Sequence, residues 1–194
     1  MDCGKVGELI RMIRSENHMT QKQLADKMNI SDKTISKWER GMGCPDVSLL
    51  PELSNILGVN IEEILSGDLN MNDLNNGNLK KIKIYVCPDC GNIITSTGST
   101  AISCCGRKLE ALEAAKAEGK HKLVVDTIEG EWYVETKHEM VKEHYISFIL
   151  FVTGDKMIML KQYPEWGIHV RFPKFGHGIL YSYCTQHGLT YQYI

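Results

Sequence analysis

Residues 138–144 read His-Glu-Met-Val-Lys-Glu-His, residues 184–187 read Cys-Thr-Gln-His, and Lys120-His121 stands upstream of both. Together these pieces supply four imidazoles and one thiolate. Four nitrogens and one sulfur suit a first-row transition metal, and five ligands leave one octahedral position free for a substrate. The candidate ligands are His121, His138, His144, His187 and Cys184.

The spacing of these residues constrains the local structure. Cys184 and His187 stand three residues apart, so a turn can aim both side chains at one ion. His138 and His144 are six residues apart, and on a regular strand they would share a face but lie too far apart for one ion. We therefore expect the chain to bend between them. The apolar run at 145–152 predicts a strand directly afterwards.

In motif order and residue type, this pattern resembles the catalytic domain of superoxide reductases (desulfoferrodoxin and neelaredoxin). The resemblance implies ferrous iron held by the four histidines in the equatorial plane and by Cys184 on the axis. It implies one-electron reduction of superoxide, with two protons, to hydrogen peroxide. It also gives Lys120 the catalytic role of attracting the anion and ordering water.

Two segments depart from the family pattern. The family often has Glu-Lys-His-Val-Pro at the first ligand, where this chain has Gly-Lys-His-Lys-Leu at 119–123. Gly119 thus replaces the glutamate that can occupy the sixth position of oxidised iron, and Glu118 is one residue off. His-Pro-Met is here His-Glu-Met, which places Glu139 after the second ligand. Neither change removes one of the five candidate ligands. The sequence does not identify which group, if any, occupies the sixth position in the resting state.

A second group of metal-binding residues lies upstream, at Cys87, Cys90, Cys104 and Cys105. The Cys-x-x-Cys pair followed by glycine is a metal knuckle, whereas the adjacent pair is unusual for zinc ribbons. The set resembles the desulforedoxin-type tetrathiolate iron centre that heads some superoxide reductases. That implies a second mononuclear iron that passes electrons from a rubredoxin-like donor, with structural zinc as the alternative. So short a span cannot bury much core, so the metal should supply most of its folding energy.

Residues 4–66 predict five helices. Thr20 with Gln23 forms a capping-box pattern before the second helix, and Ser31 is placed to cap the third. Residues 19–41 read Met-Thr-Gln-Lys-Gln-Leu-Ala-Asp-Lys-Met-Asn-Ile-Ser-Asp-Lys-Thr-Ile-Ser-Lys-Trp-Glu-Arg-Gly. This run resembles the phage-repressor-type helix-turn-helix family.

In that family the third helix enters the major groove of DNA. By position, the resemblance implies that the groove is faced by Gln21, Asp32, Lys33, Ser36 and Lys37. It implies phosphate contacts by Thr34 and Arg40. Residues 1–68 hold 8 Lys and Arg against 11 Asp and Glu, a net charge of −3. We therefore expect weak non-specific DNA affinity, and a homodimer on a two-half-site operator.

The sequence thus predicts a multidomain α + β protein. An all-α five-helix helix-turn-helix domain is expected at 1–67 and a linker at 68–80. A small desulforedoxin-like tetrathiolate iron domain of β structure is expected at 81–117, with a helical connector over 109–118. Seven strands then predict an immunoglobulin-like β-sandwich, the superoxide reductase-like iron domain, at 118–194.

Composition is that of an ordinary globular protein, with 43% hydrophobic residues and a net charge of −2. The chain has no run of 18 apolar residues and no signal-peptide pattern. Four of the seven cysteines are clustered, which favours a reducing cytoplasm with no membrane contact, and predicts that Cys3 and Cys44 are spare thiols. Two functions remain: a superoxide reductase with a DNA-binding head, or a regulator that senses iron or superoxide.

Overall fold

The computed structural model describes residues 1–69 and 78–194. The chain divides into two compact units, residues 1–71 and 72–194. Most of the predicted linker, residues 70–77, lies outside the described residues. The predicted boundary between residues 117 and 118 falls inside the second unit, and a separate tetrathiolate domain stays a prediction.

Five α-helices build the described part of the first unit, as predicted. They are α1 (Cys3–Glu16), α2 (Gln21–Lys27), α3 (Asp32–Glu39), α4 (Leu50–Leu57) and α5 (Ile61–Ser66). The Thr20 side chain accepts from the Gln23 backbone N–H while the Gln23 side chain accepts from the Thr20 N–H, which confirms the capping box. Gly58 ends α4 in the left-handed conformation, at φ 73°. No helix among the described residues is long and apolar enough to span a membrane.

A buried ion pair joins α1 to the end of α3. Arg14 Nε donates to Glu39 Oε1 at 2.6 Å and Arg14 Nη2 donates to Glu39 Oε2 at 3.1 Å. The Gln21 amide also donates to Glu39 Oε2, at 2.7 Å. The two charged side chains are 12% and 3% exposed, so removing either one would leave an uncompensated buried charge. The pair therefore fixes α3 against α1.

The prediction that Cys3 and Cys44 are spare thiols is wrong. The two residues form a disulfide whose Cα atoms lie 4.9 Å apart. Their sequence separation of 41 residues gave no local signal of the pairing. The fold brings them together because α1 packs closely against the C-terminal end of α3.

The described residues of the second unit form twelve strands, including all seven predicted in its C-terminal part. They are β1 (Lys83–Val86), β2 (Ile93–Ser96), β3 (Ile102–Cys104), β4 (Arg107–Leu109), β5 (Ala115–Lys116), β6 (Val124–Ile128), β7 (Glu131–Glu135), β8 (Ile146–Val152), β9 (Met157–Lys161), β10 (His169–Pro173), β11 (Ile179–Cys184) and β12 (Gly188–Tyr193).

Two of the sheets form the predicted β-sandwich. One has the strand order β10-β7-β6 and the other the order β5-β12-β11-β8-β9. Apolar side chains from both sheets share one buried cluster, which includes Val134, Ile149, Phe151, Phe172 and Leu180. Alternate residues of β8 point away from this cluster, where Phe148 and Leu150 pack with Ile84 of β1. The sandwich therefore also supports the cysteine-rich segment.

The helical connector predicted over 109–118 is wrong. Residues 107–109 are β4, and β5 pairs in parallel with β12. Leu112 donates its backbone N–H to the Ile84 carbonyl at 2.8 Å, and Ala117 donates to the Tyr191 carbonyl at 2.8 Å. These hydrogen bonds to distant parts of the chain replace those of a helix.

Candidate metal centres and nucleic-acid interface

The segment from His138 to His144 bends, as the spacing predicts. Val141 and His144 exchange backbone hydrogen bonds of 3.0 and 3.1 Å, which closes a tight turn. The Met140 sulfur accepts from the Ile146 N–H at 3.4 Å, and Met140 packs against the sandwich core. The turn is thereby anchored beside the start of β8, with a histidine on each side of the anchor.

The other two ligand candidates lie at the turn between β11 and β12. Cys184 is the last residue of β11, and Gly188 opens β12 with φ 78°. Thr185 donates its N–H to the Tyr145 carbonyl at 3.0 Å, and the Gln186 amide donates to the Glu143 carbonyl at 3.1 Å. These contacts hold the β11–β12 turn against the histidine-bearing turn.

Four donor atoms converge where these turns meet. His138, His144, Cys184 and His187 place one ligand atom each within 4.8 Å of one another. His144 Nε2 lies 3.1 Å from His187 Nδ1, and Cys184 Sγ lies 3.3 Å from the same nitrogen. Three imidazole nitrogens and one sulfur are therefore aimed at a common point. We call these four residues the histidine–cysteine cluster.

The outward-facing nitrogens have partners that fix the rings. His138 Nδ1 is hydrogen-bonded to the Glu139 backbone carbonyl, and His144 Nδ1 lies 3.1 Å from a Glu139 carboxylate oxygen. This leaves the Nε2 atoms of both rings facing the cluster. In the sequence, Glu139 stands out only as a departure from the family pattern, with no role. Its position between two candidate ligands was the available signal.

One donor atom provides a direct test of whether a metal fits. His138 is buried, and its Nε2 has no hydrogen-bond partner among the described residues. Burial lowers the pKa of His138, which keeps the ring neutral with a lone pair on that nitrogen. A buried acceptor without a partner is costly, and a metal ion at the cluster centre would satisfy it. The residues present therefore fit a metal bound by nitrogen and sulfur.

The fifth predicted ligand lies beside the cluster. The ring centroid of His121 is 4.5 Å from that of His187 and 5.3 Å from that of His138. Burial, followed by the neighbouring His187 and His144, lowers its pKa. Its ligand atoms are not among those that meet within 4.8 Å. Lys120 precedes it in a short 3-10 turn, Gly119–His121, and is exposed to solvent.

The structure also brings together the four predicted cysteines of the upstream group. Cys87, Cys90, Cys104 and Cys105 place their sulfurs within 4.8 Å of one another, and we call them the tetracysteine cluster. The Cys90 backbone N–H lowers the pKa of Cys87 to about 7. Hydrogen bonds with Cys90, Cys87 and Cys104 raise the pKa of Cys105 to about 12. Crowding therefore opposes four thiolates, and a cation would relieve it.

The predicted DNA-contacting residues lie on and around α3. Asp32, Lys33, Lys37 and Arg40 are exposed, whereas Thr34 and Ser36 are half-buried. Thr34 Oγ1 lies 2.8 Å from Ser31 Oγ at the helix cap, and Arg40 Nε donates to the Ser36 carbonyl at 3.0 Å. Gln21 is committed through its amide nitrogen to Glu39. The Asp32 side chain accepts from the Lys33 backbone N–H at 2.9 Å. The exposed side chains free to reach a ligand are therefore the two lysines.

Comparison with known proteins bears on both units. Residues 10–64 match the family model described as helix-turn-helix. These residues form a helix-turn-helix domain. The HTH-type transcriptional activator BcrR of Enterococcus faecalis is 38% identical over 82 residues, which cover 41% of this chain and 40% of BcrR. The similarity to that regulator thus extends over more residues than the helix-turn-helix match.

The desulfoferrodoxin of Clostridium acetobutylicum is 36% identical over 53 residues, which cover 27% of this chain and 42% of that protein. The chain thus spans less than half the length of each of these two curated relatives. The crystal structure of the superoxide reductase from Treponema pallidum has a TM-score of 0.52 and 18% identity, covering 58% of this chain and 98% of that one. This likeness shows a shared fold. A helix-turn-helix domain is therefore joined to a β-rich unit that shares the fold of that superoxide reductase.

Proposed function

We propose that the protein reduces superoxide to hydrogen peroxide at an iron ion bound by the histidine–cysteine cluster together with His121. The observation that carries the proposal is the buried, unpartnered His138 Nε2, aimed at two further imidazole nitrogens and a thiol within the described residues. The similarity to a desulfoferrodoxin supports iron as the metal. The shared fold with a superoxide reductase supports the placement of the site in a β-sandwich.

Iron at this site would supply the single electron that the reaction needs. The remaining steps fall to the chain. Neutral His138 and His121 serve as ligands without first losing a proton, because burial lowers the pKa of both. Lys120, exposed beside His121, attracts the superoxide anion and orders the water that delivers protons. Glu139 holds the His144 ring with Nε2 facing the cluster.

In this proposal the tetracysteine cluster would hold a second iron, which would supply electron transfer from a rubredoxin-like donor. The crowding of its thiols supports a cation of either metal, so structural zinc is the alternative. Metal analysis of purified protein separates the two. Iron in both sites gives two irons per chain, whereas zinc in the tetracysteine cluster gives one of each.

Superoxide consumption by the iron-loaded full chain tests the enzymatic proposal. We expect each superoxide consumed to yield one hydrogen peroxide, whereas dismutation would yield half as much. Cys184→Ser is the matched inactive control, because it changes one donor atom in the histidine–cysteine cluster. Consumption at the rate of that control would reject the enzymatic function.

The helix-turn-helix domain leads us to propose sequence-specific DNA binding by a cytoplasmic homodimer. One helix-turn-helix reads only a few base pairs, and residues 1–68 carry a net charge of −3, so a single domain would bind weakly. Exposed Lys33 and Lys37 on α3 supply the charge available to the groove. We expect light scattering to give the mass of two chains.

Selection from a library of random duplexes tests DNA binding. Lys33→Ala with Lys37→Ala should abolish enrichment of any duplex. Lys80→Ala with Lys81→Ala removes the same charge from exposed residues outside the helix-turn-helix domain, and should leave enrichment intact. If neither the unchanged chain nor this control enriches a duplex, the DNA role is wrong.

A regulator that senses iron or superoxide without turnover is the second candidate. The observation in its favour is the complete helix-turn-helix domain on the same chain. Turnover distinguishes the candidates when an electron donor is present. The iron of a sensor would react with one superoxide per chain, and consumption would then stop. Sustained consumption under those conditions favours the enzyme.

A further inference from the structure

The disulfide lies beside the segment that leaves α3. Cys3 is the first residue of α1, and Cys44 lies in the loop 41–46 that follows α3. Both residues are half-buried. The other five cysteines, all within the described residues, are free and belong to the two metal-binding clusters. Cys3 and Cys44 are therefore a separate thiol pair on the DNA-binding unit.

Glycine packing brings these two cysteines together independently of the bond between them. A Cβ on Gly7 would lie 1.9 Å from the Trp38 carbonyl oxygen, so α1 contacts the end of α3 through a position without a side chain. A Cβ on Gly41 would lie 3.1 Å from the Gly4 Cα atom, and Gly41 has φ 68°. Reduction of the disulfide therefore leaves both thiols side by side and ready to react again.

The loop 41–46 has few other attachments. Met42 donates its backbone N–H to the Lys37 carbonyl at 2.9 Å, and the Asp46 side chain accepts from Ser48 at the start of the next turn. Within the described residues 1–69, neither Gly43 nor Cys44 makes a hydrogen bond. The disulfide thus adds a covalent attachment between the middle of the loop and α1, directly after the helix that carries Lys33 and Lys37.

We infer that Cys3 and Cys44 are an oxidation site for hydrogen peroxide, which sets the DNA affinity of the helix-turn-helix domain. Peroxide converts one thiol to a sulfenic acid and releases one water. The second thiol then attacks the sulfenic sulfur, forms the disulfide and releases another water. The two sulfurs lose two electrons and two protons, and one peroxide becomes two waters. An external dithiol reverses the change by thiol–disulfide exchange.

The oxidised chain binds DNA more tightly, because a loop already held in place loses less freedom on binding. The inference rests on the proposed function in one respect: superoxide reduction at the other end of the chain makes the peroxide. Turnover would then report superoxide to the DNA-binding unit through its own product.

The experiment treats the full chain with one equivalent of hydrogen peroxide, and a second sample with dithiothreitol. Peptide mapping by mass spectrometry should find Cys3 linked to Cys44 only after peroxide. The hydrogen-bonded backbone amides of Gly41 and Met42 should then exchange about tenfold more slowly than in the reduced chain. Affinity for a duplex selected from a random library should rise about fivefold on oxidation.

Cys3→Ser with Cys44→Ser is the matched control, and peroxide should alter neither its exchange nor its DNA affinity. The inference is overturned if peroxide leaves the two thiols unlinked, or if oxidised and reduced chains bind the duplex equally. Added peroxide makes this result independent of turnover. Superoxide consumption by the same double variant tests the proposed enzyme separately, and should equal that of the unchanged chain.

Discussion

The two metal-binding clusters differ in what holds their ligands in place. The histidine–cysteine cluster lies against a large apolar core, where Cys184 is 2% exposed and shares a buried cluster with Phe151 and Leu180. The tetracysteine cluster lies on two short hairpins whose own buried cluster consists of Tyr85, Cys87 and Leu109. In the first, the fold positions the ligands. In the second, the sulfurs are themselves a large share of what the fold packs around.

This difference separates the contributions of protein and metal. Backbone hydrogen bonds and the Met140 anchor hold the turns of the histidine–cysteine cluster in place, so a metal finds its donors already converged. The tetracysteine hairpins depend on sulfurs that repel one another as thiolates. Metal binding should therefore be needed to fold the tetracysteine hairpins, whereas the histidine–cysteine cluster should already be folded when the metal binds.

The largest expected effect is the loss of structure around the tetracysteine cluster in Cys104→Ser. Residues 87–109 should exchange their amide hydrogens at rates close to those of an unfolded chain, because metal ligation replaces the missing core there. β1 should keep part of its protection, since Ile84 packs on the sandwich. Hydrogen exchange with mass spectrometry makes the measurement, and β8 and β11 are the internal reference.

The same exchange profile in Cys104→Ser and in the unchanged chain would show that apolar packing, and not the metal, holds the hairpins. Removal of metal from the unchanged chain with a chelator should reproduce the effect of the substitution. Protection lost in β8 as well would show that the two clusters fold as one body.

Cys184→Ser should give the reverse result. The substitution replaces one buried donor atom with another of similar size, so the sandwich should keep its exchange protection. With iron bound as proposed, visible absorption from its bond to the Cys184 thiolate should vanish. Superoxide consumption should fall at least about 100-fold, more than replacement of a residue that only orients a ligand. Retention of that band would remove Cys184 from the ligand set.

Short-range patterns predicted much of this molecule. The capping residues Thr20 and Ser31 mark helix starts, and the apolar run at 145–152 marks a strand, because each signal depends on residues a few positions apart. The candidate ligands could be recognised for the same reason, because most of them stand within a few residues of another candidate. Their convergence followed from the resemblance to superoxide reductases and from the spacing of His138 and His144.

Contacts between distant residues account for what the sequence did not predict. The Ala-rich segment before residue 118 has helical propensity, but its backbone pairs with β12, more than 70 positions away. The Cys3–Cys44 bond and the Arg14–Glu39 pair likewise join residues that only the packing of α1 on α3 brings together. Helix propensity is thus overridden by tertiary pairing at 109–118, and none of the three contacts has a local signature.

A smaller effect is expected from Glu139→Gln, which tests how far the protein pre-positions the histidine–cysteine cluster. The carboxylate lies 3.1 Å from His144 Nδ1, so its removal should loosen the ring and weaken its basicity as a ligand. Iron affinity should fall about tenfold, measured by competition with a chelator. Glu143→Gln removes the same charge from an exposed residue of the same turn, and should leave the affinity unchanged.

An equal loss of affinity in Glu139→Gln and Glu143→Gln would show that net charge near the site matters and ring orientation does not. No loss in either would show that the turn alone positions His144. Only the first result would make the site more like the tetracysteine cluster, in which the metal organises its own ligands.

The smallest expected effect is that of Lys120→Ala, because Lys120 is exposed and, in the proposed function, attracts the anion without ligating the metal. Removal of one positive charge beside the site should slow the bimolecular reaction with superoxide about threefold at low ionic strength. The difference should shrink as salt is added, since the Debye length falls to about 8 Å at physiological ionic strength. Iron content should not change, because Lys120 is not a ligand.

Lys122→Ala removes the same charge two residues along the chain, so an equal slowing in both variants would reduce the role of Lys120 to that of general charge. A slowing that persists at high salt would instead place Lys120 in proton delivery, the step that screening does not reach.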